Sequence, residues 1–213
     1  MTPPFFLTPH RVQVIGMSGK MRSGKDWLTD HGILQHGFLP LPLANHFKVS
    51  VAAKDALRVD DQTVPVDIKQ LWETGKDLAH RTGLQQEGTE LGRNVYGEAI
   101  WVRAAEAWMY YFALKGITKF VITDVRFPNE VEWVRSLGGK VYRVTGRGGA
   151  TDPTAEHISE KALDNFVGFD RIFDNSVANE GRVLSQLAAA LFEDFGVAPV
   201  PPTPTPEEGR CVA

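Results

Sequence analysis

The 213-residue chain is 43% hydrophobic and 23% charged, an ordinary balance for one α/β domain long enough to bury a full core. Its net charge of -3 and pI of about 6.1 supply no overall basic field, which argues against a duplex-DNA binder but leaves room for a local basic pocket. The one cysteine, Cys211, excludes an internal disulfide and a Cys-rich zinc site.

The six histidines lack metal-ligand spacing, the first ten residues lack a signal-peptide pattern, and no apolar run approaches a membrane span. The expected location is therefore cytoplasmic, with no membrane partner. Residues 1–10 carry three prolines and read as a flexible arm. Residues 197–213, centred on the Pro/Thr-rich stretch 198–210, read as a disordered tail. Residues 11–196 between them read as one domain.

Arg11–Met17 is a short β-rich run that leads into glycine-rich sequence. Gly24–Leu34 follows as a helix, and Phe47–Leu57 shows helical spacing through Phe47, Val49, Ala52, Ala53, Ala56 and Leu57. Glu98–Lys115 is the clearest helix, with Val102, Ala105, Trp108, Met109 and Phe112 as a core-facing stripe and Gly116 as its stop. Lys119–Thr123 is a buried-type strand running into Asp124. Pro128 suits a first helical turn, Val131, Val134 and Leu137 mark the buried face, and Gly138-Gly139 end the helix before a Lys140–Thr145 strand. Ile172-Phe173 is a short strand and Glu180–Phe195 a last amphipathic helix. Strands alternating with helices predict a parallel sheet covered on both faces, with right-handed crossovers.

The first strand runs into Gly19-Lys20-Met21-Arg22-Ser23-Gly24-Lys25-Asp26, a G-x-x-x-x-G-K loop with Asp where Ser or Thr is usual. Glycines let successive N–H groups curl around one anion, and the following helix start adds its dipole. Lys25 would reach phosphate as a mobile charge, facing solvent otherwise. Asp26 replaces a hydroxyl that commonly ligates Mg²⁺; its carboxylate either holds the metal or caps the helix.

This loop resembles that of bacteriophage deoxynucleoside monophosphate kinases, with Trp27 where that family carries Thr. Similar segments recur in order: Leu43-Ala44-x-x-x-Lys48, Arg81-x-x-Leu84-Gln85-x-x-Gly88-Thr89-Glu90, Trp101-Val102-Arg103, Asp124-x-Arg126-x-x-x-Glu130, Arg147 with His157-Ile158-Ser159-Glu160, and Asp174-Asn175. They span roughly residues 11–195. The resemblance implies a P-loop kinase fold, a parallel β-sheet with helices on both faces and a small lid. It implies transfer of the ATP γ-phosphate to a deoxynucleoside monophosphate, with Mg²⁺, in a homodimer whose partners are small nucleotides rather than nucleic acid.

On that reading Gly19, Lys20, Arg22, Ser23, Gly24, Lys25, Asp26 and Asn175 bind ATP, with Asp26 at the metal. Lys48, Arg81, Gly88, Thr89, Glu90, Trp101, Arg103, Arg126 and Glu130 form the acceptor site. Lys25, Asp124, Arg126 and the lid's Arg147 serve the transfer. Two polyanions need cations beyond the loop lysine, and guanidinium groups pair phosphate in bidentate fashion. Two other readings stay open: a related kinase acting on hydroxymethylpyrimidine in DNA, and a nucleotide-binding switch without transferase activity.

Overall fold

A computed structural model describes residues 12–59, 62–66, 68–72, 78–147, 156–179 and 181–198. The expected N-terminal arm, residues 199–213 of the tail, and Gly148-Gly149 lie outside them.

Five strands form one fully parallel sheet: β1 (Gln13–Gly19), β2 (Leu39–Pro40), β5 (Lys119–Ile122), β6 (Lys140–Thr145) and β7 (Arg171–Asp174), in the order β2-β5-β1-β6-β7. Gln13 to Gly16 of β1 register with Lys119 to Ile122 on one side, and Ile15 to Gly19 register with Lys140 to Val144 on the other. The unit from β5 to β6 is therefore parallel, as expected, but β1 lies between its two strands. Pro40 is tolerated because β2 is an edge strand, where one row of backbone donors needs no ladder partner.

Side chains alternate across the sheet, and neighbours in sequence enter different cores. Val14, Phe120, Ile122 and Val141 face one cluster, with Val102, Ala105 and Met109 of α6 (Ile100–Ala113) and Val131 and Val134 of α7 (Pro128–Ser136). Ile15, Met17, Val121, Tyr142 and Val144 face the other, with Leu28 of α1 (Lys25–Leu28) and Val183, Leu187 and Leu191 of α9 (Val183–Phe195). A sheet with continuous apolar strands needs cover on both faces, and this one has it. The expected α/β fold is present.

Local departures have local causes. The helix expected over 24–34 is α-helical only to Leu28, then π-helical over Thr29–Ile33 and 3₁₀ over Leu34–His36, with Gly37 at φ 79° closing it. Thr29 Oγ1 donates back to the Lys25 carbonyl at 2.9 Å, within this helical tightening and loosening. The Phe47–Leu57 helix is instead α2 (Ala44–Lys54), ended by Asp55 at φ 51°. Beyond it, β3 (Ala56–Val59) pairs antiparallel with β4 (Gln62–Pro65), and Leu57 joins Val51, Val66, Leu71 and Leu84 in a satellite core. That core includes side chains of α3 (Ile68–Trp72) and α4 (Leu78–Gln85), and a π-helical stretch, Gln86–Arg93, continues to the short α5 (Asn94–Tyr96). Trp108, expected in the stripe of α6, is 48% exposed; it stacks on Phe112 at 5.8 Å while Val102, Ala105 and Met109 take the core face. No helix among the described residues is long and apolar enough to cross a membrane.

Candidate active site

The phosphate-loop sequence leaves the carboxyl end of β1, the central strand. Gly24 adopts φ 85° and sits against Asn175, whose amide occupies the place a Cβ would need. Arg22 also has positive φ, 62°, and is exposed. Asn175 is 2% exposed and donates Nδ2 to the Ser23 carbonyl at 3.0 Å, while its backbone N–H is held by the Thr145 carbonyl at 2.9 Å. Expected at ATP, Asn175 is thus placed as a brace that fixes the loop to the β6 and β7 ends. Asn175→Ala should cost about 1–3 kcal/mol by leaving the Ser23 carbonyl short of a buried donor. A urea denaturation midpoint lowered with an unchanged slope is the expected result, and an unshifted midpoint would remove the brace.

Lys25 is 9% exposed, so the solvent-facing lysine expected from sequence is in fact enclosed. Burial pushes its ammonium below the usual lysine range; Asp26 opposes this, Arg126 adds to it, and Asp124 opposes it. These four charges therefore form one electrostatic group. Asp26 lies 3.5 Å from the Lys25 Nζ and keeps its side chain 74% exposed. Among the described residues, no group of three or more His, Cys, Asp or Glu side chains is placed to hold a metal ion. The Ser23 hydroxyl is buried, and its Oγ makes no hydrogen bond among the described residues.

Asp124 and Arg126 follow β5, and the Val125 N–H donates to Met17 of β1 at 3.0 Å, holding that turn beside the loop strand. The Asp124 carboxylate accepts from the N–H groups of Leu43 and Ala44 at 2.7 and 2.8 Å, so it caps the start of α2 from 80 residues away. That explains the proximity of the Leu43-Ala44 segment to the strand ends. Glu130 is 4% exposed, accepting from the backbone N–H groups of Arg126 at 2.7 Å and Phe127 at 3.1 Å, and from Arg93 at 3.1 Å. Burial pushes its carboxyl up to about 7, opposed by the Arg126 N–H, while Asp124 reinforces the rise and Arg93 counters it. Expected as a sugar or base contact, Glu130 is committed to the α7 start and to Arg93.

A third strand end completes the cleft. Glu160, in the single turn α8 (Ile158–Lys161), pairs one carboxylate oxygen with Arg126 and accepts the Met21 N–H of the Gly19–Lys25 loop on the other at 3.1 Å. Lys20, expected at ATP, donates to the Glu160 carbonyl at 2.7 Å and to Asp164 at 2.6 Å. Arg143 of β6 donates to Ser18 at 2.9 Å, and burial lowers its pKa with Asp164 acting against. Ser18, Gly19, Arg126, Arg143, Ser159 and Glu160 line one cleft. Crevices outside the carboxyl ends of parallel strands, where crossovers diverge to opposite sides of a central strand, are where such sheets take ligands. Sequence reading did not single out Glu160, Asp164, Arg143 or Ser18 for roles. The only available signal was the His-x-Ser-Glu segment, which does not reveal its spatial partners.

Of the other expected residues, Arg81 reaches the loop, with Nη1 4.0 Å from the Met21 Sδ. Glu90 is exposed and acts electrostatically on His157, which also feels Arg126. Gly88 packs against Phe47, and its carbonyl accepts from the Trp101 indole at 2.6 Å; Thr89 is the next residue of that π-helical stretch. Trp101 meets Phe47 edge-on at 5.2 Å and packs against the core that Val102 and Ala105 share. Lys48 lies over Trp72 at 5.9 Å. Arg103 is exposed on α6 and acts on Glu106; no described contact carries it to the loop. Arg147 is half-buried two residues past β6.

No protein-family model matches the chain. A protein of Acanthamoeba polyphaga mimivirus named "Putative deoxynucleotide monophosphate kinase" is 27% identical over 175 residues, which cover 76% of this chain and 88% of that protein. The chain is therefore similar to that protein across most of both lengths.

Proposed function

We propose that this protein is a nucleotide kinase that transfers the γ-phosphoryl group of ATP to a deoxynucleoside monophosphate. The observation that carries the reading is that Glu160 joins the Met21 N–H of the Gly19–Lys25 loop, which leaves β1, to Arg126, which follows β5, and so sets a second cation beside Lys25. A switch needs only the loop; a second cation beside it, the half-buried Arg126, suits an acceptor phosphate. The likeness to the viral protein supports the same class.

In this reading the loop N–H groups and Lys25 hold the donor phosphates, with the buried Ser23 hydroxyl able to donate to them. Arg126 holds the acceptor phosphate, and Arg81 stands at the loop. Asp124 and Glu130 act as positioning residues, one fixing α2 and the other fixing the Arg126 backbone. Phosphoryl transfer asks little covalent chemistry of the protein, so placement and charge neutralisation supply most of the rate.

The exposed Asp26 carboxylate suits a hard, oxygen-seeking cation such as Mg²⁺, which would neutralise charge on the donor phosphates. Asp26→Asn retains size and capping ability and removes the charge. The expected result is a rate curve shifted to severalfold higher Mg²⁺ at saturating ATP, with Tm almost unchanged. Superimposable Mg²⁺ titrations would take Asp26 out of the site.

The function itself is tested by coupled ADP release against the deoxynucleoside and ribonucleoside monophosphates and against hydroxymethylpyrimidine DNA. Turnover with one or more deoxynucleoside monophosphates is expected. Turnover with DNA alone, or none with any acceptor, would overturn the proposal.

A further inference from the structure

Glu160 stands out because its carboxylate lies where an acid is electrostatically useful only if it has a task. Its side chain is 3% exposed, and both oxygens are engaged. One pairs with the guanidinium of Arg126; the other takes the Met21 N–H. These two donors belong to the two halves of the site: the loop, which holds the donor phosphates in the reading above, and the clamp for the acceptor.

The carboxylate is also held firmly in place. Lys20 ties the Glu160 carbonyl and Asp164 to the loop, at 2.7 and 2.6 Å. Leu163, 3% exposed, anchors the same segment in the core, and His157 caps the turn through the Ser159 N–H at 3.2 Å. A carboxylate and a phosphate oxygen make the same demand on a backbone N–H and a guanidinium, so the two compete for the same pair of donors.

We propose that Glu160 is a built-in competitor for phosphate that couples the two halves of the site. A donor phosphate must take the Met21 N–H from it, and an acceptor phosphate must take Arg126. Whichever arrives first loosens the carboxylate and lowers the cost of the second. Glu160 is thus a positioning residue, acting through Met21 and Arg126, and it makes occupancy of the two halves cooperative. The inference rests on the kinase reading, since it requires that the loop and Arg126 bind phosphates.

Inorganic pyrophosphate is the probe, titrated calorimetrically into the full chain as wild type, Glu160→Gln, Glu160→Asp and Lys25→Met. Glu160→Gln keeps the shape and removes the competing charge, so pyrophosphate should bind about fivefold or more tightly. Glu160→Asp keeps the charge but shortens the reach, and should tighten binding less. This variant carries the test if the glutamine form does not fold. A side chain with a merely structural role would weaken binding when altered, not strengthen it. Unchanged or weaker binding in the folded Glu160 variants, with binding still abolished by Lys25→Met, overturns this inference alone. Absence of pyrophosphate binding by wild type and Glu160→Gln alike overturns both it and the kinase reading.

Discussion

Replacing Lys25 with methionine should lower kcat about a hundredfold or more while leaving the protein folded. The ammonium is enclosed by the loop and shares its surroundings with Arg126, Asp124 and Asp26, so its charge acts in a poorly screened setting. Methionine is preferred to alanine because the side chain is 9% exposed, and truncation would add a packing defect to the lost charge. Burial already disfavours the ammonium, so its removal should cost little stability, and Tm should stay within a few degrees. Steady-state rates with near-saturating ATP are the measurement. Near-wild-type turnover in a folded Lys25→Met protein would sink the phosphate-loop assignment.

Replacing Arg126 with alanine should weaken monophosphate binding far more than ATP binding, by about ten- to a hundredfold, as expected for a lost charged hydrogen-bond partner worth ~1.5–3 kcal/mol. The single variant has a second effect: it leaves the nearly buried Glu160 carboxylate without its guanidinium. The Arg126→Ala/Glu160→Gln pair removes that complication, and the double-mutant cycle separates acceptor binding from the internal ion pair. Calorimetric titration of each nucleotide into the four proteins makes the comparison. Loss confined to ATP would move Arg126 to the donor side.

Much of the framework was legible because its signals are local. Pro128 opens α7, Val131, Val134 and Leu137 are wholly buried, and Gly138 at φ 75° ends the turn, as spacing and conformational preference require. The hairpin over β3 and β4 was not legible. Its strands carry little alternation, and Ala56 and Leu57 also complete a helical pattern, so only the αL turn at Asp55 and packing of Leu57 beside Leu84 decide against helix there. The exposure of Trp108 was equally hidden, since helical spacing gives a stripe but not its edges.

The site divides along the same line. The sequence by itself determined the phosphate-loop string, its place between a strand and a helix, and an acidic-basic pair at the end of a later strand. Each depends on residues a few positions apart. Only the tertiary structure decided what those residues touch. Asp124 caps a helix that starts at Ala44, Asn175 braces Ser23, and Glu160 joins Met21 to Arg126. These contacts span 80, 152 and 139 residues of chain. The parallel order β2-β5-β1-β6-β7 creates them by bringing the carboxyl ends of β1, β5, β6 and β7 to one edge of the sheet. Strand order follows from burial on both faces of the whole sheet, a property no local spacing encodes.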